Sequence, residues 1–384
     1  MITKRFFDYH PCGIPVYAYD ITSGGNVTAT VIEHGATLQR LLVSDKRGGV
    51  RDVVGGFDSI IDYLDSGECQ GGTIGRVCNR IKNATYEIDG VRYRTYANEG
   101  NNVCHAGRFG FHKKIWKACY DENSNEVTFN YVSPDGEEGF PGNLSVYVTF
   151  SVNDNDLTIN YKATTDKKTI INLTNHSYFN LNGFDSGNME NHTIRVAAST
   201  YNETDSELIP TGNFCNVEGT AFDMRTERKI KEVLFGDHPK IIELGGLDTN
   251  FIFDTFDGSL KHVADFTGDD SGIKMSVYTD QSGVLIYTAN RISDTEPKMK
   301  NGTDQVPHFG ACFESAAMPD AINHENFDNT VLDVGETYTA ATSFKFRTVK
   351  LLCAELPPEL SFSSKFAHFR LYPFPSIIQN LHFV

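Results

Sequence analysis

The sequence predicts an all-β protein built as a large antiparallel β-sandwich. Short runs rich in Val, Ile, Thr, Tyr and Phe recur along the chain, and clusters of Gly, Asn and Asp separate them. The 384 residues include 33 glycines, and long stretches of helical periodicity are scarce. Many short strands joined by tight turns are typical of a sandwich, whereas an α/β fold alternates its strands with longer helices.

The individual strands follow from the same pattern. We expect strands at Val27–Ile32, Ala84–Ile88, Glu126–Val132, Leu144–Val152, Leu157–Ala163, Thr193–Ala197, Ile273–Tyr278 and Gly283–Thr288. Asp-Gly and Asn-Asp pairs between such runs are hairpin turn chemistry, as at Asp89–Gly90. Two short helical turns are expected, at Ser59–Leu64 and Lys229–Leu234.

One domain is predicted over residues 1–346, because no linker, fixed-period repeat or low-complexity block interrupts the pattern. Strand alternation is lost after Phe346, and the segment from Leu351 holds four of the 13 prolines and six aromatic residues. We therefore expect residues 347–384 to form an atypical C-terminal extension. It either packs as an apolar strap or lies outside the fold.

Charge excludes some classes of partner. Acidic residues outnumber basic ones by 50 to 34, which gives a formal net charge of −16. Such a surface repels phosphate backbones and acidic membranes, so neither nucleic acid nor a membrane is an expected partner. The start of the chain has no apolar signal region, and the eight cysteines form no CxxC pair. We expect a cytoplasmic protein with free thiols.

Two histidines lie in unusually polar surroundings. His105 is preceded by Asn101 and Asn102, and His176 lies within Asn172–Asn180, which reads NLTNHSYFN. Histidine titrates near neutral pH and can donate or accept a proton. A histidine alone is more often a structural residue than a functional one. The amides and hydroxyls around these two shift the balance, because they are groups that a polyhydroxylated ligand requires.

Glu314 follows the apolar run Phe309–Phe313. A carboxylate is costly to bury unless it is paired or used in chemistry. Strand alternation leaves two alternatives, a surface glutamate at a strand end or a buried one. Desolvation of a buried glutamate would raise its pKa toward the range of a general base at neutral pH.

Other candidate residues are weaker when taken singly. Asn79 and Arg80 follow the glycine-rich segment Gly71–Gly75, where the backbone can approach a ligand closely. That segment has no GxGxxG or Walker pattern, so it does not indicate a nucleotide site. Arg80 either contacts a ligand oxygen or pairs with a carboxylate. Asp248 and Gln281 lie in turns, where polar residues are common.

Together, these segments resemble the galactose mutarotase (aldose 1-epimerase) family over roughly residues 10–346. The resemblance rests on Gly75-Arg76, Asn79–Ile81, Ser133–Gly142, Asn172–Leu181, Leu208–Gly212, Gly219–Asp223, and Glu314 with Pro319–Asn323. So many segments in the same order and at the same spacing argue against a chance match. The resemblance implies a β-supersandwich fold, no cofactor, no bound metal and a small-molecule hexose as partner.

Site residues are carried over one by one. The resemblance implies that Glu314 is the catalytic base, His176 the general acid and His105 a second histidine near the ring oxygen. It implies sugar-binding roles for Asn79, Arg80, Asp248 and Gln281. The sequence departs from the family pattern at Cys104, Thr249 and Ala316, where Leu, His and Gln are more usual, and these differences leave the fine substrate preference open.

The predicted function is therefore aldose 1-epimerase activity, the interconversion of the α and β anomers of free hexoses such as galactose and glucose. Three alternatives are a glucose-6-phosphate 1-epimerase-like enzyme, a non-catalytic carbohydrate-binding β-sandwich and a glycoside hydrolase. The first calls for a dense basic cluster. The second needs no Glu–His pair, and the third would use two carboxylates and leave the histidines unexplained. We expect a monomer or weak homodimer.

Overall fold

The fold is known from a computed structural model, which describes residues 1–121, 124–293 and 295–349. The first fourteen strands are β1 (Ile2–Tyr9), β2 (Pro15–Thr22), β3 (Val27–Ile32), β4 (Thr37–Ser44), β5 (Val50–Asp52), β6 (Thr73–Ile74), β7 (Arg80–Ile81), β8 (Thr85–Ile88), β9 (Val91–Arg94), β10 (Val103–Cys104), β11 (Lys117–Tyr120), β12 (Glu126–Ser133), β13 (Leu144–Asn153) and β14 (Asp156–Thr165).

The remaining strands of the described residues are β15 (Thr169–Ile170), β16 (Thr174–Asn175), β17 (Tyr178–Phe179), β18 (Thr193–Val196), β19 (Thr200–Thr204), β20 (Pro210–Asn216), β21 (Arg228–Lys229), β22 (Asp248–Ile252), β23 (Lys261–Thr267), β24 (Ile273–Thr279), β25 (Gly283–Tyr287), β26 (Ala311–Ala316), β27 (Val331–Leu332) and β28 (Tyr338–Thr348). The pairs within the large sheets are antiparallel, as the sequence predicts.

Three sheets dominate the architecture. A nine-stranded sheet has the order β11-β12-β13-β14-β28-β24-β23-β18-β21, and a six-stranded sheet has the order β17-β26-β25-β22-β19-β20. A five-stranded sheet runs β1 to β5 in sequence order. Since β28 pairs with both β14 and β24, the last strand of the domain joins the two halves of the largest sheet.

Aromatic contacts show which sheets face each other. Phe266 and Phe313 connect the nine-stranded and six-stranded sheets, with ring centroids 5.4 Å apart. Tyr19 of the five-stranded sheet and Phe129 of the nine-stranded sheet lie 6.0 Å apart. The nine-stranded sheet therefore packs against both smaller sheets, which is the predicted sandwich.

Strand β13 illustrates why the sequence forms this sandwich. Its residues Leu144, Val146, Val148, Phe150 and Val152 alternate along the strand, and each is 0% exposed. Burying one such side chain contributes about 1.5–3 kcal/mol. A shift of one residue in the strand register would expose all five, so the apolar alternation also fixes the register.

Helices are few and short. The predicted helical turns are confirmed as α1 (Ile60–Asp65), which Ser59 caps, and α2 (Ile230–Leu234). A third helix, α3 (Pro239–Leu244), was not predicted, although proline at its start and Gly245 after its end are helix signals. Within the described residues, five 3₁₀ turns lie at Lys82–Ala84, Phe111–Lys113, Glu137–Gly139, Lys300–Gly302 and Ala321–Asn323.

Strand β28 ends at Thr348, two residues beyond the predicted domain boundary. The predicted extension, residues 347–384, lies outside the described residues apart from 347–349, so its role stays a prediction. Among the residues described, no helix is long and apolar enough to cross a membrane. The seven cysteines of the described part of the chain are free thiols.

Candidate active site

Glu314 lies on β26, an inner strand of the six-stranded sheet whose residues are all buried. Its neighbour on β25 is Leu285. The Glu314 side chain is only 3% exposed, and its Oε1 atom has no hydrogen-bond partner within the described residues. Of the two alternatives that the sequence left, the structure therefore selects the buried glutamate.

His176 lies on the connection between β16 and β17, beside Glu314. Its Nε2 atom is 3.4 Å from Oε1 of Glu314. The backbone holds this histidine in place, because His176 N donates to the carbonyl of Gly72 and Gly71 N donates to the carbonyl of His176. A Cβ atom at Gly71 would lie 2.2 Å from the carbonyl oxygen of Leu38. These glycines thus allow close contact with the protein backbone, and not with a ligand as the sequence suggested.

A two-stranded sheet of β7 and β10 positions the next group of residues. Asn79 and His105 both have left-handed backbone conformations, with φ of 57° and 51°. They hold each other, since His105 N donates to the Asn79 carbonyl at 3.0 Å and Asn79 N donates to Nδ1 of His105 at 3.3 Å. Left-handed non-glycine residues cost free energy and are typical of functional sites.

Arg80 forms an ion pair with Glu99 and also faces the site. Its Nε donates to Glu99 Oε2 at 2.6 Å and its Nη2 donates to Oε1 of the same carboxylate at 2.9 Å. This bidentate geometry fixes the guanidinium plane. Asp248 is the first residue of β22 and pairs with Tyr287 in the ladder.

Six of the predicted residues line one cavity of about 300 Å³: Asn79, Arg80, His105, His176, Asp248 and Glu314. They come from the two-stranded sheet, the six-stranded sheet and the β16–β17 connection. Segments far apart in sequence are therefore brought together in space, and the cavity is large enough for a monosaccharide.

Burial sets the protonation of the central pair. Desolvation raises the pKa of Glu314 to about 8, and the charge of Asp248 adds to this shift. Desolvation lowers the pKa of His176 to about 4. Burial also lowers the pKa of His105 and raises that of Asp248, where Arg80 opposes the shift. At neutral pH Glu314 is therefore protonated and the His176 ring is neutral, so the pair holds one titratable proton.

The same groups can be compared with a metal site. The potential ligand atoms of His105, His176 and Glu314 lie within 4.8 Å of one another. Since Nδ1 of His105 accepts from Asn79, the neutral ring carries its proton on Nε2. The arrangement suits proton transfer better than metal binding.

Comparison with known proteins identifies the family of this chain. The family model described as aldose 1-epimerase matches residues 17–345. The chain belongs to the aldose 1-epimerase family. A galactose mutarotase from Homo sapiens is 41% identical over 321 residues, which are 82% of this chain and 90% of that protein. An aldose 1-epimerase from Escherichia coli is 32% identical over 341 residues, 88% and 96% of the two chains.

Solved structures support the same fold. An aldose epimerase homologue from C. elegans superposes with a TM-score of 0.79 at 30% identity, covering 86% of this chain and 98% of that chain. A galactose 1-epimerase from Lactobacillus acidophilus gives the same TM-score of 0.79 at 23% identity, covering 91% and 99%. The predicted family and the galactose mutarotase-like fold are confirmed.

One predicted residue, Gln281, does not line this cavity. Gln281 lies in the turn between β24 and β25, donates to Asp280 Oδ1 at 2.7 Å, and lines a separate cavity. That turn is at the opposite end of β25 from Asp248, which pairs with the last residue of the strand. We therefore remove Gln281 from the substrate-binding group. Its turn position in the sequence gave no information about which end of the strand it occupies.

Several cavity residues were not predicted: Glu68, Glu99, Tyr178, Tyr287 and Arg291. Tyr178 lies two residues after His176 in the NLTNHSYFN segment, so the signal for it was present in the sequence. Glu68 precedes Cys69 in a loop without any motif, and only the tertiary structure places it in the cavity.

Proposed function

We propose that this protein interconverts the α and β anomers of a free hexose, galactose or glucose, by opening and reclosing the pyranose ring. The observation that carries the proposal is the Glu314–His176 pair. These two side chains are both buried, lie 3.4 Å apart and line one cavity of sugar size. Membership of the aldose 1-epimerase family supports the same reaction.

Ring opening needs one proton removed and one delivered. In the reactive form the pair carries its single proton on His176, with Glu314 as carboxylate. Glu314 takes the proton of the C1 hydroxyl while His176 gives its proton to the ring oxygen, the C1–O5 bond breaks, and the C1–O1 bond becomes a carbonyl. The pair then holds its proton on Glu314, which is the form that burial favours in the empty site.

Rotation about the C1–C2 bond exposes the other face of the aldehyde. Ring closure then reverses both proton transfers: His176 takes the proton from the C5 hydroxyl and Glu314 returns a proton to O1. The pair ends as it began, so no net proton, electron or cofactor is consumed. General acid–base catalysis of this kind contributes about 10²–10⁴-fold in rate.

The other residues bind and orient the sugar. His105 presents its Nε2–H group as a fixed donor near the ring oxygen, because Asn79 occupies its Nδ1 atom. Arg80, held by Glu99, and Asn79 face the hydroxyls from one wall. Asp248, at the start of β22, accepts from hydroxyls of the same sugar. All of these groups come from a single chain, and a monomer or weak homodimer remains our proposal for the oligomeric state.

The charges of the cavity argue against the phosphate-specific alternative. Its acidic lining residues are Glu68, Glu99, Asp248 and Glu314, against two basic ones, Arg80 and Arg291. Arg80 is already bonded to Glu99, and Arg291 donates to the carbonyl of Glu243. A phosphate dianion would meet two arginines that already have partners, instead of a dense basic cluster.

An anomer-exchange assay tests the proposal. NMR or polarimetry on freshly dissolved α-galactose and α-glucose, beside glucose 6-phosphate, should show acceleration of the two free sugars. Exhaustively chelated protein without added nucleotide should be fully active. Binding of galactose without accelerated exchange would instead favour the non-catalytic carbohydrate-binding alternative, and activity that only zinc or NAD restores would overturn the mechanism.

A further inference from the structure

Glu68 is a cavity residue that the mechanism leaves unused. It lies on the loop between α1 and β6 and lines the same cavity as His176 and Glu314. The loop is anchored from outside the cavity, since Ser66 Oγ donates to Glu296 Oε2 at 2.7 Å and Gly67 N donates to Glu296 Oε1 at 3.2 Å. The Glu68 side chain therefore projects from a fixed backbone.

The Glu68 carboxylate has one oxygen occupied and one available. Its Oε2 atom accepts a hydrogen bond from the Tyr178 hydroxyl at 2.5 Å. In the part of the chain that the structure describes, no lysine, arginine or histidine forms an ion pair with it. Burial raises the pKa of Glu68 to about 7, opposed by the bond from Tyr178. Such a group lacks a protein partner for its second oxygen, and a sugar hydroxyl can supply one.

The position of Glu68 indicates which hydroxyl it meets. The rings of His176 and Tyr178 lie 5.2 Å apart, and the Tyr178 hydroxyl reaches Glu68, so the three residues follow one another along one wall. Glu314 contacts the Nε2 atom of His176, whereas Cys312, the ladder partner of Tyr178, contacts the Nδ1 atom. Glu314, where C1 reacts, and Tyr178 therefore lie toward different edges of the His176 ring. Beyond the ring oxygen that His176 serves, the next ring atom is C5, which carries the hydroxymethyl arm.

We propose that Glu68 binds the C6 hydroxyl of the sugar and makes this enzyme select free hexoses against hexose 6-phosphates. This inference rests on the proposed function, because the proposed role of His176 orients the ring. A neutral hydroxyl donates to the free carboxylate oxygen, whereas a 6-phosphate carries about −1.5 to −2 charge and no donor when ionised. Specificity of this kind comes from repulsion of the wrong ligand as much as from attraction of the right one.

The test compares three sugars: glucose, 6-deoxyglucose and glucose 6-phosphate. For wild type, Glu68→Gln and Glu68→Lys, kcat/KM is measured by NMR anomer exchange, corrected for the spontaneous rate, and Kd by calorimetry. Glu68→Gln should lose about tenfold in kcat/KM on glucose, as expected for a hydrogen bond to a charged group, and little on 6-deoxyglucose. Glu68→Lys should raise kcat/KM on glucose 6-phosphate at least about tenfold.

Glu296→Gln is the matched control, because Glu296 anchors the same loop without lining the cavity. Glu296→Gln should change kcat/KM for all three sugars by the same factor. Equal losses on glucose and 6-deoxyglucose in Glu68→Gln would show that Glu68 only supports the loop, and wild-type turnover of glucose 6-phosphate as fast as glucose would equally overturn the proposal. A wild type that binds glucose without exchanging anomers contradicts the proposed function, while the Kd ratios still decide the role of Glu68.

Discussion

Arg76 and Glu314 are both charged residues buried within segments that resemble the family, yet the structure treats them in opposite ways. Arg76 is 1% exposed, and its terminal nitrogens donate to Pro141 O at 2.7 Å and Ser133 Oγ at 2.6 Å, with further acceptors at Gly142 and Thr169. Glu314 is 3% exposed, and its Oε1 atom has no hydrogen-bond partner in the part of the chain that the structure describes.

This difference distinguishes a buried residue that stabilises the fold from one that takes part in the reaction. A buried charge whose hydrogen bonds are made by the protein holds distant segments together, as Arg76 holds the loop of Ser133–Gly142 against Thr169. A buried polar atom without a hydrogen-bond partner, such as Oε1 of Glu314, costs free energy on folding unless a ligand supplies the partner. Glu314 is therefore free to exchange a proton with a substrate. Replacing Arg76 should reduce stability, whereas replacing Glu314 should reduce catalysis.

The largest expected effect is on stability. Arg76→Met leaves the acceptors of four residues unsatisfied in the interior, and each costs about 1–3 kcal/mol, so the free energy of unfolding should fall by about 4 kcal/mol or more. Urea denaturation measures this. Arg47→Met is the control, because Arg47 is 54% exposed and its removal should leave the midpoint nearly unchanged. An unchanged midpoint for Arg76→Met would contradict the supporting role.

The second effect is on catalysis alone. Glu314→Gln keeps the size of the side chain but cannot take the proton, so kcat and kcat/KM should fall together by at least about 10²-fold. His176→Asn should behave similarly. Saturation kinetics give the rates, and urea denaturation should show no loss of stability for Glu314→Gln, since burial already disfavours its charge. Near-normal kcat in Glu314→Gln would mean that the base is another residue.

The third prediction uses pH to examine the same pair. The pair loses its single proton as pH rises through the pKa of Glu314, about 8, and takes a second proton as pH falls through the pKa of His176, about 4. The profile of kcat/KM should therefore be flat between these limits and fall about tenfold per pH unit outside them. Rates corrected for buffer catalysis provide the profile, and activity that persists unchanged to pH 10 would be the contrary result.

The smallest effect is on binding. Asp248→Ala removes an acceptor used in both ground and transition states, so KM should rise about tenfold while kcat falls less. Asp257→Ala, in an exposed loop, should leave both constants unchanged. A loss of kcat in Asp248→Ala comparable to that in Glu314→Gln would place Asp248 in the proton transfer itself.

Much of the fold was predictable because its signals are local. The alternation that buries Leu144 through Val152 lies within one strand, and the end of that strand differs from the prediction by one residue. Helix α3 was missed although it is as long as α1, which was predicted, and although Pro239 and Gly245 at its ends are helix signals.

The sequence by itself determined the fold class, the family, and six residues that share one cavity. Tertiary structure alone decided the positions of Gln281 and Glu68. Both lie in loops, and neither side chain follows a strand or helix period that fixes its direction. The order of strands in the sheets determines which loops meet. Asp248 lies beside the last residue of β25, whereas Gln281 lies just before its first residue. A loop residue thus takes its function from the sheet edge where the topology places it.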